Sequence, residues 1–327
     1  MIEVRNLSKH YGKVEAVRDV SFSVGKDQVL GFLGPNGAGK TTIMKILTGF
    51  HFPSSGTALV DGIPVDEDPV AVKKRIGYLP ENVPLYGDLT VDEYLAFAAD
   101  ARLVPEAERK AAIDASIDAC GLKHYRTRKI ETLSKGYRQR TGLAQAILHD
   151  PSILILDEPT NGLDPNQIIE IRSLIKELGK RKTVILSTHI LQEVEAICSQ
   201  VLIISDGRIA AQGTAEEIAG TMKGGDTWEL ILKGTPAQTV QERFSLLGPN
   251  LNSCAAEDLD DGTVKASFFF PADEAAVLPA GEQIFDWAVS GGLKILGMSR
   301  KKLSLEEIFV RLTAEERSGR RETGVEK

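Results

Sequence analysis

The feature that most constrains this chain is a glycine-rich loop between a strand and a helix. Residues Gly34–Thr41 read Gly-Pro-Asn-Gly-Ala-Gly-Lys-Thr and follow the apolar run Val29–Leu33. Glycines let successive backbone N–H groups turn inward around an anion, and the unpaired amides of a helix start favour phosphate. A glycine-rich turn that merely opens a helix is the alternative. The preceding strand and the helix-forming Thr42–Leu47 favour a site for a nucleoside triphosphate.

Two side chains of this loop have separate predicted roles. Lys40 is expected to reach the β- and γ-phosphates, and the Thr41 hydroxyl to hold Mg²⁺. The predicted nucleotide-binding set comprises the whole loop and the next residue: Gly34, Pro35, Asn36, Gly37, Ala38, Gly39, Lys40, Thr41 and Thr42.

Two adjacent carboxylates indicate which chemistry follows binding. Asp157 and Glu158 come directly after the apolar strand Ile153–Leu156, and ligands of open α/β sheets lie outside such strand ends. We expect Asp157 to hold Mg²⁺, directly or through water. Glu158 is expected to polarise the attacking water as general base. An acidic turn that caps the strand is the alternative, and the upstream phosphate loop favours catalysis.

Composition limits the compartment and the partners. The chain of 327 residues has 46 acidic against 39 basic side chains and a net charge of −7, which argues against a nucleic-acid partner. Cys120, Cys198 and Cys254 form no Cys-x-x-Cys pair, so a reducing cytosol is expected and a disulfide framework is not. The sequence has neither a signal peptide nor an apolar run of the ~20 residues that span a bilayer.

Hydrophobic periodicity predicts an α/β domain over residues 1–220 and a small α+β domain of split-βαβ type over 221–313. A linker is predicted at 222–226, and residues 314–327 are predicted to be a charged, disordered tail. Residues 90–148 are predicted to be helical almost throughout, opening with a capping box at Thr90 and Glu93. The other predicted elements are strands at 2–7, 21–24, 29–33, 57–60, 76–78, 153–156, 183–187, 201–204, 228–232, 264–270 and 294–298, and helices at 70–75, 165–180, 190–198, 236–247, 275–288 and 304–313.

A third element supplies a family resemblance. Leu133–Arg140 places Ser134 as a helix N-cap and Gly136 where a phosphate can approach closely, and alone it reads as an ordinary capped helix. With the loop and the acidic pair before and after it, the chain resembles the nucleotide-binding subunit of an ABC transporter over roughly residues 1–220. The signature of that family is usually Leu-Ser-Gly-Gly-Gln, and here it is Leu-Ser-Lys-Gly-Tyr.

The resemblance implies a P-loop NTPase fold of the ABC cassette type, with a mixed sheet core and a helical subdomain at about 82–150. It implies that Tyr11 stacks on adenine, although a turn residue is the alternative there. It further implies that His189 contacts the γ-phosphate and that Asp164 ends the loop that couples two cassettes.

Two facing cassettes are also implied, with ATP on one phosphate loop completed by Ser134, Lys135 and Gly136 of the other. Because the chain holds one such loop, it is expected to pair with a second copy or a paralogue. Lys135 replaces a signature glycine, and its cation suits a γ-phosphate, although a solvated surface lysine is equally possible. Tyr137 in place of glutamine has no predicted role.

Glu81 departs from the glutamine that the family usually has as Mg²⁺ ligand and γ-phosphate sensor. Glutamate is still an oxygen ligand for a hard cation, but it adds a negative charge. The run Tyr-Leu-Pro-Glu at 78–81 resembles cassettes of separately encoded exporter-type permeases, including gliding-motility and drug or polysaccharide exporters.

The resulting hypothesis is an ATP-hydrolysing subunit that drives export through an integral membrane permease, lying in the cytoplasm against the inner face of the membrane. Residues 82–86 are expected to expose apolar groups to a permease helix, with packing inside the subdomain as the alternative. A soluble ATPase acting on nucleic acid or ribosomes is a second hypothesis, although such relatives usually carry two cassettes or a coiled-coil insertion. A nucleotide-dependent regulatory scaffold is a third, although both Lys40 and Glu158 are present.

Overall fold

The computed structural model describes residues 1–221, 226–243, 253–270, 277–301 and 309. The chain divides into two compact units, Met1–Ala215 and Glu216–Lys327. Several predictions lie wholly or partly outside the described residues: most of the linker at 222–226, the ends of the helices predicted at 236–247 and 275–288, nearly all of the helix at 304–313 and the tail at 314–327.

The first unit contains two sheets and the helices that connect their strands. Its strands are β1 (Ile2–Tyr11), β2 (Val14–Val24), β3 (Val29–Leu33), β4 (Ser55–Val60), β5 (Ile63–Pro64), β6 (Ile76–Leu79), β7 (Ile153–Asp157), β8 (Thr183–Thr188), β9 (Gln200–Ser205) and β10 (Arg208–Gly213). Its helices are α1 (Lys40–Leu47), α2 (Pro69–Arg75), α3 (Val91–Ala101), α4 (Glu106–Ala119), α5 (Lys135–Ile147), α6 (Pro165–Gly179) and α7 (Leu191–Ile197), and α8 (Ala215–Thr221) begins where the unit ends.

The central sheet has six strands in the order β10-β9-β3-β8-β7-β6. Five of them are parallel and the edge strand β10 is antiparallel, so the sheet is mixed. Every residue of β3, β7 and β8 is buried, as expected for parallel strands covered on both faces. Leu33 lies in register with Thr188, and Asp157 with Ser187, so the loops after these strands meet at one edge of the sheet.

A second, antiparallel sheet has the strand order β2-β1-β4-β5. Its β1–β2 hairpin is longer than the strands predicted at 2–7 and 21–24. Register shifts between Val4 and Leu7 and between Leu7 and Lys9 interrupt the pairing. These bulges break the period-two pattern, which explains why the sequence shows only the ends of the two strands.

The helical segment is interrupted, which corrects the prediction that residues 90–148 are helical almost throughout. The capping box at Thr90 and Glu93 is confirmed. However, α4 ends before Gly121, whose φ is 66°, and the chain then turns back so that Lys129 forms an isolated bridge with Thr90. Between α4 and α5 only two short 3₁₀ turns form, at Lys123–Tyr125 and Ile130–Thr132.

The second unit follows the order strand, helix, strand, strand, helix, strand. Its elements are β11 (Asp226–Lys233), α9 (Ala237–Arg243), β12 (Ser253–Asp258), β13 (Thr263–Phe270), α10 (Val277–Ser290) and β14 (Lys294–Lys301). The antiparallel sheet runs β12-β13-β11-β14, which confirms the split-βαβ topology. Strand β12 was not predicted, because Ser-Cys-Ala-Ala-Glu-Asp has little β-propensity.

Within the described ranges, no helix combines the length and the apolar character that a membrane crossing requires.

Candidate active site

A cavity of 290 Å³ lies where the loops after β3, β7 and β8 meet. It is lined by the glycine-rich loop with the start of α1 and by residues from four other segments: Ala16, Asn36, Gly37, Ala38, Gly39, Lys40, Thr41, Thr42, Glu81, Glu158, Asn161 and His189. The structure therefore brings together most of the residues that the sequence predicts for nucleotide binding and hydrolysis.

The glycine-rich loop is shaped by two close backbone approaches. A Cβ on Gly39, whose φ is 108°, would lie 2.6 Å from the carbonyl oxygen of Ala16. A Cβ on Gly34 would lie 2.3 Å from the carbonyl oxygen of Ile204. Only glycine fits at either position without a shift of the backbone. The path of the loop around the cavity therefore requires both glycines.

Lys40 is the buried cation of the site. Its Nζ donates to the carbonyl oxygens of Gly34 at 2.7 Å and Pro35 at 3.2 Å, and it lies 3.8 Å from Oε1 of Glu158. Burial lowers the pKa of Lys40, while the charges of Glu158 and Asp157 act in the opposite direction. An ammonium group held this way can exchange loop carbonyls for phosphate oxygens with little rearrangement.

Asp157 accepts hydrogen bonds from two hydroxyl groups, one on α1 and one on the neighbouring strand β8. Thr41 Oγ1 donates to Asp157 Oδ1 at 3.3 Å, and Ser187 Oγ donates to the same oxygen at 2.5 Å. Across the cavity, Asn161 Nδ2 donates to Glu81 Oε1 at 3.0 Å. These oxygens are the hard donors that Mg²⁺ requires. In the part of the chain that the structure describes, no cluster of three or more His, Cys, Asp or Glu side chains could hold a metal. A few oxygen donors of this kind fit a magnesium ion that substrate phosphates also hold.

Glu158 is buried and contacts two basic side chains. Its backbone has a φ of 47°, and its amide donates to Ser187 Oγ at 3.0 Å. Nδ1 of His189 lies 2.9 Å from Oε2 of Glu158. Burial raises the pKa of Glu158, and His189 and Lys40 oppose that rise. A carboxylate whose pKa is raised toward neutrality is a better proton acceptor.

The signature residues lie away from this cavity within a single chain. Ser134 caps α5 and accepts from the amide of Tyr137, and both Ser134 and Lys135 are exposed. Gly136 is buried, and a Cβ there would lie 2.4 Å from Gln167 on α6.

Two further predicted residues also lie apart from the cavity lining. Asp164 caps α6 by accepting from the amide of Gln167 at 3.0 Å. Tyr11 ends β1 with an exposed ring, edge-on to His51 at 5.7 Å. Its stacking on adenine stays a prediction.

Sequence reasoning missed three participants. Ser187 hydrogen-bonds Asp157, and the signal was its register with Asp157 on the adjacent strand. Asn161 begins the loop that ends at Asp164, and the sequence does not predict that it is a partner of Glu81. Tyr137 stacks on Tyr125 with ring centroids 3.8 Å apart, so it packs the first turn of α5 against the 3₁₀ turn at Lys123–Tyr125.

Comparison with known proteins agrees with this geometry. The family model described as "ABC transporter" matches residues 17–161. The linearmycin resistance ATP-binding protein LnrL of Bacillus subtilis is 36% identical over 314 residues, covering 96% of this chain and 98% of the relative. This chain belongs to the ABC transporter ATP-binding proteins. It is therefore an ATP-binding and ATP-hydrolysing subunit of a transporter, and its catalytic unit is an ABC cassette.

Other matches extend along the chain. The uncharacterized ABC transporter ATP-binding protein YxlF of Bacillus subtilis is 31% identical, covering 95% of this chain and 99% of the relative. Among solved structures, an ATP-binding subunit of an ABC transporter has a TM-score of 0.62 at 32% identity, covering 67% of this chain and 92% of that one. The share covered in YxlF shows that the similarity continues beyond the cassette into the second unit.

Proposed function

We propose that this ABC ATPase drives export through a separate transmembrane permease, against which it lies on the inner face of the membrane. The observation that carries the catalytic part is the convergence of Lys40, Glu158 and His189 on one cavity. Asp157 lies behind its wall and is bonded to Thr41 of the lining. Export is supported by the Tyr-Leu-Pro-Glu run at 78–81. It is also supported by the similarity to LnrL, which is named as a linearmycin resistance protein.

Within the cavity, each group has a distinct proposed task. The loop amides and Lys40 bind the β- and γ-phosphates. Thr41, Glu81 and Asp157 would hold Mg²⁺, which supplies charge neutralisation of the phosphates when bound. Glu158 accepts the proton of the attacking water, and His189 orients the Glu158 carboxylate and contacts the γ-phosphate.

The second half of the nucleotide site is proposed to come from a second cassette, either a copy of this chain or a paralogue. Ser134, Lys135 and Gly136 do not line the cavity of their own chain. Ser134 and Lys135 are exposed at the start of α5, where unpaired amides favour an anion. A facing subunit would place this helix start on the γ-phosphate. Asp164, which caps α6, would couple the two sites.

A groove beside α1 and β6 is the proposed docking place for the permease. This cavity of 610 Å³ is bordered by the strongly exposed apolar side chains of Phe50, Val70 and Leu103. Asn82 and Pro84 of the segment predicted to face the permease also line it. Exposed apolar side chains grouped around one cavity mark an interaction site.

The charges around the groove indicate what its occupant is like. Its lining includes four basic side chains and, among the residues that the structure describes, no carboxylate: Lys45, Lys73, Lys74 and Arg102. Nζ of Lys73 lies 5.5 Å from the ring centroid of Phe50. We therefore infer that the occupant is a cytoplasmic helix of the permease that pairs an apolar stripe with acidic side chains.

Replacement of Leu103 tests this docking. Leu103 is 73% exposed with a φ of 57°, a backbone conformation that asparagine tolerates well. Leu103→Asn should leave ATP hydrolysis by the isolated chain unchanged. The variant should no longer copurify with the integral membrane protein that copurifies with the native chain, and that protein should no longer stimulate its hydrolysis. Leu296→Asn, which changes an exposed leucine of β14, is the matched control and should behave as the native chain.

If the native chain shows no nucleotide-dependent association with any integral membrane protein, the permease part of the proposal fails. A nucleic-acid partner would instead give hydrolysis stimulated by RNA or ribosomes. A scaffold would keep its partners when Glu158 is replaced by glutamine, with no dependence on turnover. The match to transporter subunits favours the permease over both alternatives.

A further inference from the structure

A buried carboxylate outside the phosphate cavity joins the loops that follow β7 and β8. Glu193 on α7 is only 1% exposed. Its Oε1 accepts from Thr160 Oγ1 at 2.5 Å, and its Oε2 accepts from Thr188 Oγ1 at 2.8 Å. Both threonines are themselves buried, so each oxygen of one carboxylate binds a different loop.

A guanidinium completes this network. Nη2 of Arg172 on α6 lies 3.4 Å from Oε1 of Glu193. Burying a charge is costly unless it is paired and hydrogen-bonded. Two hydroxyl donors and one cation compensate for the burial of the Glu193 carboxylate. Removing any one partner leaves the carboxylate under-satisfied, so the network is sensitive to small changes.

The two threonines adjoin residues of the site. Thr188 directly precedes His189, and its Oγ1 also accepts from the amide of Ile190 at 3.0 Å. Thr160 directly precedes Asn161, which donates to Glu81 across the cavity. Glu193 thus holds the starts of two loops, one of which contacts Glu158 through His189 and the other Glu81 through Asn161.

We propose that Glu193 is a positioning residue that sets the distance between His189 and Glu158. This inference rests on the proposed roles of His189 and Glu158 in hydrolysis. Glu193 touches neither the nucleotide cavity nor the reacting atoms. Its effect passes through Thr188 to the imidazole, and through Thr160 to the loop that carries Asn161. Among the described hydrogen bonds none joins the glycine-rich loop to this network, so we expect phosphate binding to change little when the network is altered.

The test compares hydrolysis and binding in matched variants. Glu193→Gln keeps the shape and removes the charge, and Thr188→Val keeps the shape and removes one hydroxyl. Both should lower kcat by about tenfold or more, the scale seen for partners that orient catalytic groups, with KM for ATP within about twofold of native. Thr188→Ser, which restores the hydroxyl, should recover most of kcat. Thr183→Val is the control, because Thr183 is equally buried in β8 and donates to the Gly25 carbonyl oxygen away from the site.

The split between kcat and KM separates positioning from a general loss of structure. A variant that only unfolds the site loses kcat and bound nucleotide together, and Thr188→Ser then does no better than Thr188→Val. That result would overturn the inference, as would an unchanged kcat in Glu193→Gln and Thr188→Val. Should Glu193→Gln fail to fold, the Thr188→Val and Thr188→Ser pair decides by the same readouts. Absence of ATPase activity in the native chain would contradict the proposed function as well as this inference. Loss of kcat in the control Thr183→Val would contradict this inference alone.

Discussion

His189 Nδ1 lies 2.9 Å from Glu158 Oε2, so the loop after β8 reaches the carboxylate that follows β7. On the other side, Lys40 Nζ is 3.8 Å from Oε1 of the same carboxylate. Glu158 is thereby held between an imidazole and an ammonium group in a buried position. This arrangement favours the ionised carboxylate that general base catalysis needs, against the cost of desolvation.

The first prediction concerns Glu158→Gln. It removes the base but keeps the size and the hydrogen-bonding capacity of the side chain, so ATP binding should persist while kcat falls at least about 100-fold. ATP-bound dimers should accumulate and be visible by size-exclusion chromatography. Glu195→Gln, the same change at an exposed position of α7, should be neutral. Hydrolysis near the native rate in Glu158→Gln would remove Glu158 from the role of base.

The second prediction concerns the pH dependence of hydrolysis. Burial raises the pKa of Glu158 and His189 holds it down. Because the base must be deprotonated, activity should be lost as pH falls through this raised pKa. His189→Gln removes the imidazole that lowers the pKa of Glu158, so the acid limb of kcat/KM should move to higher pH. A rate profile between pH 5 and 9 measures this, and an acid limb at the native position would exclude His189 as a partner of Glu158.

How much of the site can be predicted from the sequence depends on how far apart its residues lie along the chain. The phosphate loop at 34–41 and the Asp157–Glu158 pair are short motifs whose chemistry is local, so both could be found without a structure. The partnership of Asp157 with Ser187, and that of Glu193 with Thr160 and Thr188, depend on strand register and on helix packing. Nothing in the local pattern reveals them.

The same division holds for the fold. Apolar strands such as β7 and the split-βαβ order of the second unit follow from periodicity. The break between α4 and α5 does not, because it depends on the positive φ of Gly121 and the bridge of Thr90 with Lys129. The polar residues of that segment are compatible with a helix. The helix is broken because the chain folds back to pair Lys129 with Thr90, next to the start of α3.

The third prediction concerns Glu81→Gln, which restores the residue usual in the family. The change keeps an oxygen ligand and removes one negative charge, so affinity for the cation should fall. At fixed ATP, the Mg²⁺ concentration for half-maximal hydrolysis should rise by roughly threefold or more. Glu106→Gln in the first turn of α4 is an exposed control. Unchanged magnesium dependence in Glu81→Gln would place Glu81 outside the metal site.

The fourth prediction concerns acid stability. Burial, aided by the charge of Arg102, lowers the pKa of His149 to about 4, and its Nε2 contacts the carbonyl oxygen of Ile76 at 3.2 Å. The unfolded chain takes up a proton at this histidine near pH 6.5, while the folded chain does so only near pH 4. Stability should therefore fall as pH drops across that window.

His149→Gln removes this proton uptake and retains a donor to the Ile76 carbonyl. Between pH 7 and pH 5 the native chain should lose up to about 2 kcal/mol more stability than the variant, as measured by urea unfolding of the first unit. Between pH 8 and pH 7 the two should change in parallel. Equal losses down to pH 5 would mean that His149 does not titrate in this way.

The most direct measurement of the two-subunit site combines two inactive chains. Ser134→Arg destroys the signature but leaves the phosphate loop, and Lys40→Met destroys the phosphate loop but leaves the signature. Each variant alone should not hydrolyse ATP. A heterodimer purified through two different affinity tags contains one complete site, so about half of the native activity should return. Ser299→Arg, at an exposed position of β14, controls for the added charge. A heterodimer as inactive as its parents would contradict completion of the nucleotide site by a second cassette.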